Sequence, residues 1–294
     1  MKRAYIAGEA LIDLINVGGS QSAHVGGGPA NTAKALARLG FESVFVGGIS
    51  NDAYGNLIES ELVGSGVDLS AVNRSALPTA LARAVIDENG VARYEFELAG
   101  TATFAFTSDW LPTDSVDVVH VGSVATLVEP GASELLEWAT SLDSVIVFDP
   151  NVRPSIQGDK DSYRSSVEKW ISISDVVKLS EDDLSWLYGE SEEEVVRRWL
   201  ESGVSLVVIT LGAEGLKSYA GSDALTVPGA VVSLADTVGA GDTIGAVLVE
   251  GILQYGLDEL MNKEILDTVL KRAVKAAGIT CSRAGANPPW KEEL

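Results

Sequence analysis

The sequence has little of what disulfide-bonded, metal-binding or membrane proteins need. Its single cysteine, Cys281, excludes an internal disulfide and leads us to expect a reducing cytoplasm. The two histidines, His24 and His120, are isolated, and isolated histidines are more often structural than metal ligands. No apolar run approaches the roughly 18 residues that a membrane-spanning helix needs. Glu9 and Asp13 interrupt the apolar start, which predicts a buried strand rather than a signal peptide.

Basic residues are also scarce. The chain has 21 lysines and arginines against 42 aspartates and glutamates, a formal net charge of −21. Such a surface repels phosphate backbones, so we expect neither nucleic acid nor anionic membrane as a partner. A nucleotide would have to be held locally, by backbone amides, Mg²⁺ and a few cations. The charge fits either a saline environment or a simple requirement for solubility.

Short β-branched runs alternate with helical segments along most of the chain. Val204–Thr210 is apolar throughout, as is typical of a strand buried on both faces. The alternation predicts an α/β fold, a mostly parallel sheet with helices on both faces. The predicted strands are Tyr5–Ala7, Ser43–Val46, Val116–Val121, Val145–Asp149, Asp175–Lys178 and Leu206–Thr210, and the predicted helices are Pro29–Leu39, Ala53–Val63, Ala132–Thr140, Glu192–Leu200 and Thr243–Tyr255.

One segment departs from this alternation. Leu81–Asp87 and Val91–Leu98 flank Asn89-Gly90, which is typical of hairpin turns. A two- or four-residue loop would place Leu81, Arg83, Val85, Tyr94 and Phe96 on one face, and Ala82, Ala84, Ile86, Arg93, Glu95 and Glu97 on the other. Leu11–Val17 and Ala23–Val25, around Gly18-Gly19, can add two more strands. We therefore expect a small β lid from residues of about 11–25 and 80–99.

The segment Asp236-Thr-Val-Gly-Ala-Gly-Asp242 precedes an apolar helix and carries the strongest chemical signal. Gly239 and Gly241 allow a tight turn and a close approach to a ligand. The first amides of a helix lack intrahelical partners and carry its positive dipole end, so this turn, with Ala240, predicts a site for a transferring phosphoryl group. Asp242 could take a proton from an attacking hydroxyl. The structural alternative is a glycine loop with an aspartate cap.

Two other nucleotide-binding motifs are missing. Ile244 stands where the dinucleotide fingerprint requires its third glycine, which disfavours a nicotinamide dehydrogenase. No G-x-x-x-x-G-K-[ST] run occurs, so the chain is not a P-loop enzyme.

A second glycine-rich turn lies near the start of the chain, where Gly26-Gly27-Gly28-Pro-Ala-Asn31 leads into a predicted helix. Its glycines allow close backbone approach, here to a neutral hydroxylated ligand. Asn31 can both donate to and accept from hydroxyl groups. Asp13 is an acid in an apolar strand and needs a partner, which could be a pair of sugar hydroxyls or an arginine.

Together, these segments resemble the ribokinase-like, or PfkB, carbohydrate kinases. Gly26–Gly40 is similar to their N-terminal signature and Asp236–Asp242 to their C-terminal one, and Phe148–Pro154 and Thr210–Gly215 agree as well. The resemblance covers essentially the whole chain. It implies one three-layer αβα domain over residues 1–294, with a β lid over the sugar and Mg-ATP as the donor. It also implies a homodimer through the lid and leaves a K⁺ requirement open.

The resemblance also implies roles for individual residues. Asp242 would be the catalytic base, and Gly239, Ala240 and Gly241 would form the anion hole. The implied sugar contacts are Asp13, Gly27, Gly28, Asn31 and Arg153. The implied nucleotide-site residues are Asn151, Ser180, Thr210, Gly212, Gly215, Ala286 and Asn287. A surface ion pair is the alternative for Arg153, and an ordinary turn is the alternative for Gly212 and Gly215.

Two stretches depart from the family pattern. Ser180-Glu-Asp-Asp183 aligns with an N-x-x-E motif tied to Mg²⁺ and phosphate. Asp183 is one methylene shorter than glutamate, so we expect it to act on Mg²⁺ through water, with Glu181 and Asp182 as rivals. Leu98-Ala99 replaces a Tyr/Arg-rich segment that resembles a carboxylate grip in ketodeoxygluconate kinases. This replacement favours a neutral hexose over an acidic sugar.

The combined prediction is an ATP-dependent kinase of a small neutral sugar, with fructose as the expected acceptor. Kinases of 2-keto-3-deoxygluconate, ribose or nucleosides are the alternatives within the family. A non-catalytic sugar-binding regulatory protein is the alternative from another class. Asp242 and its glycines favour the enzyme, because a silent protein need not keep them.

Overall fold

The computed structural model describes residues 2–17, 20–86, 92–157 and 159–294. The strands are β1 (Arg3–Ala7), β2 (Leu11–Val17), β3 (Ser20–Gly26), β4 (Glu42–Ser50), β5 (Val72–Ser75), β6 (Leu81–Ile86), β7 (Ala92–Glu97), β8 (Val118–Gly122), β9 (Val145–Asp149), β10 (Val176–Ser180), β11 (Leu206–Thr210), β12 (Gly215–Ala220) and β13 (Asp223–Pro228). The helices are α1 (Gly28–Arg38), α2 (Ala53–Gly64), α3 (Gly131–Ser141), α4 (Lys160–Ile171), α5 (Glu181–Leu187), α6 (Glu192–Glu201), α7 (Ala240–Tyr255), α8 (Leu257–Leu260) and α9 (Lys263–Cys281).

The described residues form a large nine-stranded sheet in the order β13-β12-β11-β10-β9-β8-β1-β4-β5. The strands from β11 to β5 are parallel, and β12 and β13 form an antiparallel hairpin at one edge. Successive side chains of a strand point to opposite faces of the sheet. In β1, Ala4 and Ile6 are therefore buried in one hydrophobic core, and Tyr5 and Ala7 in a second core on the other face. The first core contains α1, α7 and α9, and the second contains α3 to α6. This arrangement confirms the predicted αβα fold.

The remaining strands form a separate four-stranded sheet, here called the small sheet, in the order β3-β2-β6-β7. β2 lies parallel to β6, and the two outer pairs are antiparallel. Ile12 and Leu14 are buried in the core that contains α1 and α2, whereas Asp13 and Ile15 line a cavity on the opposite face. The two chain segments predicted to form a lid therefore pair into one sheet.

The predicted register of the second hairpin is wrong by one residue. β6 and β7 pair Ala82 with Phe96 and Ile86 with Ala92, so five residues separate the paired ends instead of two or four. A one-residue shift moves every side chain of a strand to the other face. Phe96 therefore shares a face with Ala82, and not with Leu81 as the sequence predicted. The turn residues Asn89-Gly90 and Gly18-Gly19 lie outside the described residues.

The order of the strands places a crevice at the middle of the large sheet. After β1 the chain proceeds to β4 on one side, while β8 and β9 lie on the other. Open α/β sheets bind ligands at such a switch point, beyond the carboxyl ends of the strands. Among the described residues, no helix is both long enough and apolar enough to cross a membrane.

Candidate active site

A cavity of about 750 Å³ lies between the small sheet and the carboxyl ends of β1, β8 and β9. It brings together many of the site residues that the sequence predicts. The predicted residues that line it are Asp13, Gly27, Gly28, Asn31, Asn151, Arg153, Gly239, Gly241, Asp242 and Ala286. Two segments separated by about 200 residues in the chain thus form one site.

The floor of the cavity is the first turn of α7. Gly239 has a φ of 80°, a left-handed conformation that glycine adopts without strain, and the helix begins at the next residue, Ala240. Asp242 is the third residue of the helix. The Ala240 amide donates to the Thr237 carbonyl at 3.3 Å, whereas the amides of Gly241 and Asp242 have no intrahelical acceptor, and both residues line the cavity. The turn can therefore bind an anion, with a carboxylate beside it.

A hydrogen bond joins the two predicted signatures. Asn31 Nδ2 donates to Asp242 Oδ2 at 2.9 Å, which connects α1 to α7 at the cavity floor. Asn31 is 5% exposed, and its Oδ1 has no hydrogen-bond partner among the described residues. A buried acceptor without a partner is unfavourable, so a ligand hydroxyl at this position would satisfy it.

Two glycines at the start of α1, Gly26 just before it and Gly28 as its first residue, have no room for a side chain. An ideal Cβ on Gly26 would lie 2.2 Å from Asp13 Oδ2, and one on Gly28 would lie 2.8 Å from Asn151 Nδ2. Any larger residue would displace a polar group of the cavity. The glycine run therefore lets the side chains of Asp13 and Asn151 lie against the backbone. The sequence predicted only that a ligand would approach the backbone closely here.

Burial is the main influence on the pKa of the Asp242 carboxyl group. Burial raises its pKa to about 6, and the Asp149 charge acts in the same direction. The Lys178 charge and the hydrogen bond from Asn31 lower its pKa. Asp242 is still mostly ionised at neutral pH, as a proton acceptor must be.

Several cavity residues were not predicted from the sequence. Lys178 lies in β10, is 5% exposed and donates to Asp149 Oδ2 at 2.7 Å. Its signal is a charged residue inside an otherwise apolar strand, which requires a buried partner. Glu9 follows β1, is 1% exposed and accepts from the Ala125 amide at 3.0 Å.

The two histidines have different surroundings. His24 pairs in register with Asp13 across β2 and β3, and it lines the cavity, whereas the sequence favoured a structural role. His120 is buried beneath Gly245, and burial with the nearby Lys178 charge lowers its pKa to about 3. His120 is therefore neutral.

The predicted residues that do not line the cavity are Ser180, Asp183, Thr210, Gly212, Gly215, Ala240 and Asn287. Asp183 closes a capping box with Ser180, and its other oxygen accepts from the Val152 amide at 3.0 Å. Asn287 Oδ1 accepts from Arg38 at 2.7 Å. Within the described part of the chain, no group of three or more histidine, cysteine, aspartate or glutamate side chains could hold a metal ion.

Comparison with known proteins agrees with this geometry. Residues 1–293 match the family described as pfkB family carbohydrate kinase. The chain belongs to this pfkB family. It is therefore an ATP-dependent sugar kinase, and this part of the sequence prediction is confirmed.

Individual pfkB relatives include several fructokinases. The fructokinase of Rhizobium leguminosarum bv. trifolii is 35% identical over 91% of this chain and 84% of its own length. Fructokinase-1 of Oryza sativa subsp. japonica is 31% identical over 98% of this chain and 94% of its own. The structure of Xylella fastidiosa fructokinase with bound ATP has a TM-score of 0.90 at 25% identity, covering 99% of this chain and 94% of that one. Vibrio cholerae fructokinase with fructose, ADP and calcium has a TM-score of 0.86 at 27% identity, covering 97% and 94%.

Proposed function

We propose that this pfkB family kinase is a fructokinase, which transfers the γ-phosphoryl group of ATP to a hydroxyl of fructose. The observation that carries the proposal is the contact between Asn31 and Asp242 on the floor of a cavity covered by the small sheet. The fructokinase relatives support the choice of sugar. Leu98-Ala99, after β7, supplies no basic or phenolic side chain that could grip a sugar carboxylate, which favours a neutral acceptor.

Asp242 is the proposed catalytic base. The acceptor hydroxyl lies against Asp242 and transfers its proton to the carboxylate as its oxygen bonds to the γ-phosphorus. The bond to the leaving ADP oxygen breaks, and the amides at Gly239, Ala240 and Gly241 stabilise the transferring group. Asp13, Gly27, Gly28, Asn31 and Arg153 contact the sugar.

The nucleotide enters along the far side of the α7 turn in this proposal. Ala286 packs against Gly239, where an ideal Cβ would lie 2.7 Å from the Ala286 Cβ, and it forms one wall of the nucleotide site. Asn151 is beside the phosphates. In this proposal the nucleotide site is completed, around the part of ATP that projects beyond the cavity, by Ser180, Thr210, Gly212, Gly215 and Asn287.

Magnesium fits this site as an ion carried by ATP. Mg²⁺ is usually held by one or two carboxylates together with substrate phosphates, so a site without a three-carboxylate cluster is compatible with it. Asp183 would hold it through water, because both of its oxygens already accept backbone amides. When bound, the ion would neutralise charge on the phosphates.

The small sheet is proposed to act as a lid in a single kinase domain over residues 1–294, and as the contact of a homodimer. Closure over the cavity would exclude water and limit ATP hydrolysis. Sedimentation analysis of the purified protein tests the dimer.

A structure of a Vibrio cholerae fructokinase variant contains a potassium ion, so we also propose a monovalent-cation requirement. The test replaces KCl by tetramethylammonium chloride.

The proposed function is tested by a coupled ADP-release assay over fructose, ribose, 2-keto-3-deoxygluconate and nucleosides. We expect ATP turnover with fructose as a preferred acceptor. Preference for 2-keto-3-deoxygluconate would overturn the sugar while leaving the kinase in place. Sugar binding without turnover would favour the regulatory alternative.

A further inference from the structure

Lys178 is a buried cation at the candidate active site whose hydrogen-bonding capacity is mostly unused. Its ammonium group has three donors, and among the described residues it makes one hydrogen bond, to Asp149 at 2.7 Å. Burial lowers the pKa of Lys178, but the charge of Asp149 and the hydrogen bond to it outweigh burial and raise it. Lys178 therefore stays protonated.

The position of this ammonium group relative to α7 is well defined. An ideal Cβ on Gly241 would lie 2.9 Å from Lys178 Nζ. Side chains of a helix tilt toward its N-terminus, so Nζ lies at the N-terminal side of Gly241, close to the Gly241 and Asp242 amides, which lack intrahelical acceptors. Lys178 also lines the cavity. The amides and the ammonium group thus converge on one place.

A simple ion pair with Asp149 does not explain why Lys178 is buried with unused hydrogen-bond donors. Asp149 is its one salt-bridge partner among the described residues, while Asp183 and Asp242 contribute at longer range. His120, also nearby, is neutral. A buried ion pair that only stabilised the fold would be more stable if the two remaining N–H groups of Lys178 were hydrogen-bonded as well. The free donors instead point to a negatively charged ligand.

We propose that Lys178 is a catalytic residue whose ammonium group donates to the transferring phosphoryl group at the first turn of α7. This inference rests on the proposed function and adds a residue to it. As the sugar oxygen bonds to phosphorus and the bond to ADP breaks, the proton of the sugar hydroxyl goes to Asp242. Lys178 keeps its own protons and stabilises negative charge on the phosphoryl oxygens. Asp149 holds the ammonium group in position.

The test compares Lys178→Met, Lys178→Arg and the double variant Lys178→Met/Asp149→Asn, which leaves no unpaired buried charge. Removing one donor of this kind lowers kcat by about 10²–10³-fold. We expect that loss in Lys178→Met and in the double variant, with little change in the KM for sugar and partial recovery in Lys178→Arg. If Lys178→Met does not fold, the double variant decides.

A matched control is the ion pair of buried Glu250 with half-buried Arg272, which joins α7 to α9 eight residues beyond Asp242. Glu250→Gln/Arg272→Met should keep the kcat of the unmodified enzyme. Calorimetry of Mg-ADP with and without aluminium fluoride, a mimic of the transferring group, gives a readout that does not depend on which sugar is used. The double variant should lose the extra affinity that aluminium fluoride provides.

A double variant with normal kcat and normal aluminium fluoride binding would overturn the proposal and make Lys178 a structural ion-pair partner. Failure of the unmodified enzyme to phosphorylate any sugar would instead contradict the proposed function. In that case the calorimetric result still decides the role of Lys178.

Discussion

Asp242 and Glu9 are two carboxyl groups of the same cavity in different surroundings. Burial raises the pKa of both groups, to about 6 for Asp242 and to about 7 for Glu9. Asp242 has a cation, Lys178, and an amide donor nearby, whereas Glu9 relies on the Ser123 hydroxyl and the Ala125 amide. The group with the lower pKa is the better candidate for a base that is ionised at neutral pH.

The pKa of Asp242 predicts the pH dependence of the reaction. Below pH 6 the carboxyl group is protonated and cannot accept the proton of the sugar. We expect kcat/KM for fructose to fall about tenfold per pH unit below an apparent pKa of about 6. The measurement is a pH–rate profile between pH 4.5 and 8, with fold monitored by circular dichroism. A profile that is flat down to pH 5 would contradict the assignment.

Glu9 predicts a pH dependence of stability. Its pKa rises from 4.5 in the unfolded chain to about 7 in the fold, so the folded state holds a proton that the unfolded state has lost. The stability associated with Glu9 is therefore complete below pH 4.5 and lost as the pH rises through 7, by roughly 3 kcal/mol. Glu9→Gln mimics the protonated acid. The difference in free energy of unfolding between Glu9→Gln and the unmodified protein should therefore shift in favour of the variant by about that amount between pH 4.5 and 8.

Chemical denaturation at several pH values measures this difference. The control is Glu137→Gln, an exposed glutamate of α3, which should show no comparable pH-dependent gain. A Glu9→Gln difference that stays constant with pH would show that Glu9 is not protonated in the fold.

Among individual site residues, the sequence predicted those whose local motif carries chemistry, such as Asn31 and Asp242. It did not predict Glu9 or Lys178. Their role depends on which strand lies beside them, because Asp149 reaches Lys178 only through the pairing of β9 with β10. No local pattern contains that information.

The junction between the glycine run and α1 is the element that positions the site. Gly28 begins α1, and its missing side chain leaves room for Asn151 Nδ2 and for Asp242 Oδ1. The ideal Cβ distances to these atoms would be 2.8 and 3.3 Å. α1 can therefore approach α7 closely enough for Asn31 to reach Asp242.

Gly28→Ala should impair catalysis more than folding. Alanine suits a helix, but its methyl group must displace Asn151 or Asp242. A misplacement of about 1 Å can lower activity by about 10²-fold, so we expect kcat/KM to fall 10- to 100-fold. Gly64→Ala at the end of α2 is the control, because no atom lies within 4 Å of its ideal Cβ. Equal activity of the two variants would contradict this account of Gly28.

Elements with a strong local pattern were predicted accurately. The strand Leu206–Thr210 has the predicted bounds, and α2 extends one residue beyond the predicted Ala53–Val63. The register of β6 and β7 was wrong, because it depends on the length of their connection and not on the alternation within each strand. The edge hairpin β12–β13 was not predicted, since its half-exposed strands lack the apolar run of the buried ones.

The whole molecule carries far more negative than positive charge. A net charge of −21 on 294 residues implies repulsion within the folded state, which salt screens over distances of about 10 Å at 0.1 M. The ion pairs on the surface offset only part of it, since exposed pairs contribute little. Stability should therefore depend on ionic strength.

We expect the thermal unfolding midpoint to rise between 0.05 and 1 M tetramethylammonium chloride, a salt chosen to separate screening from binding of a small cation. The expected shift is a few degrees, the size that about 1 kcal/mol produces in a chain of this length. Differential scanning calorimetry measures it. An unchanged or lower midpoint would show that the acidic surface does not destabilise the fold.

In the proposed mechanism Asp242 removes the proton from the sugar hydroxyl, and the variant Asp242→Asn is the sharpest test of that step. Asparagine keeps the size of the side chain and its contact with Asn31 but cannot act as the base. The measurements are steady-state kinetics with ATP and fructose, and calorimetric binding of both ligands. We predict that kcat falls by about 10²–10⁴-fold while both affinities and the fold are retained. Turnover close to that of the unmodified enzyme would contradict the mechanism.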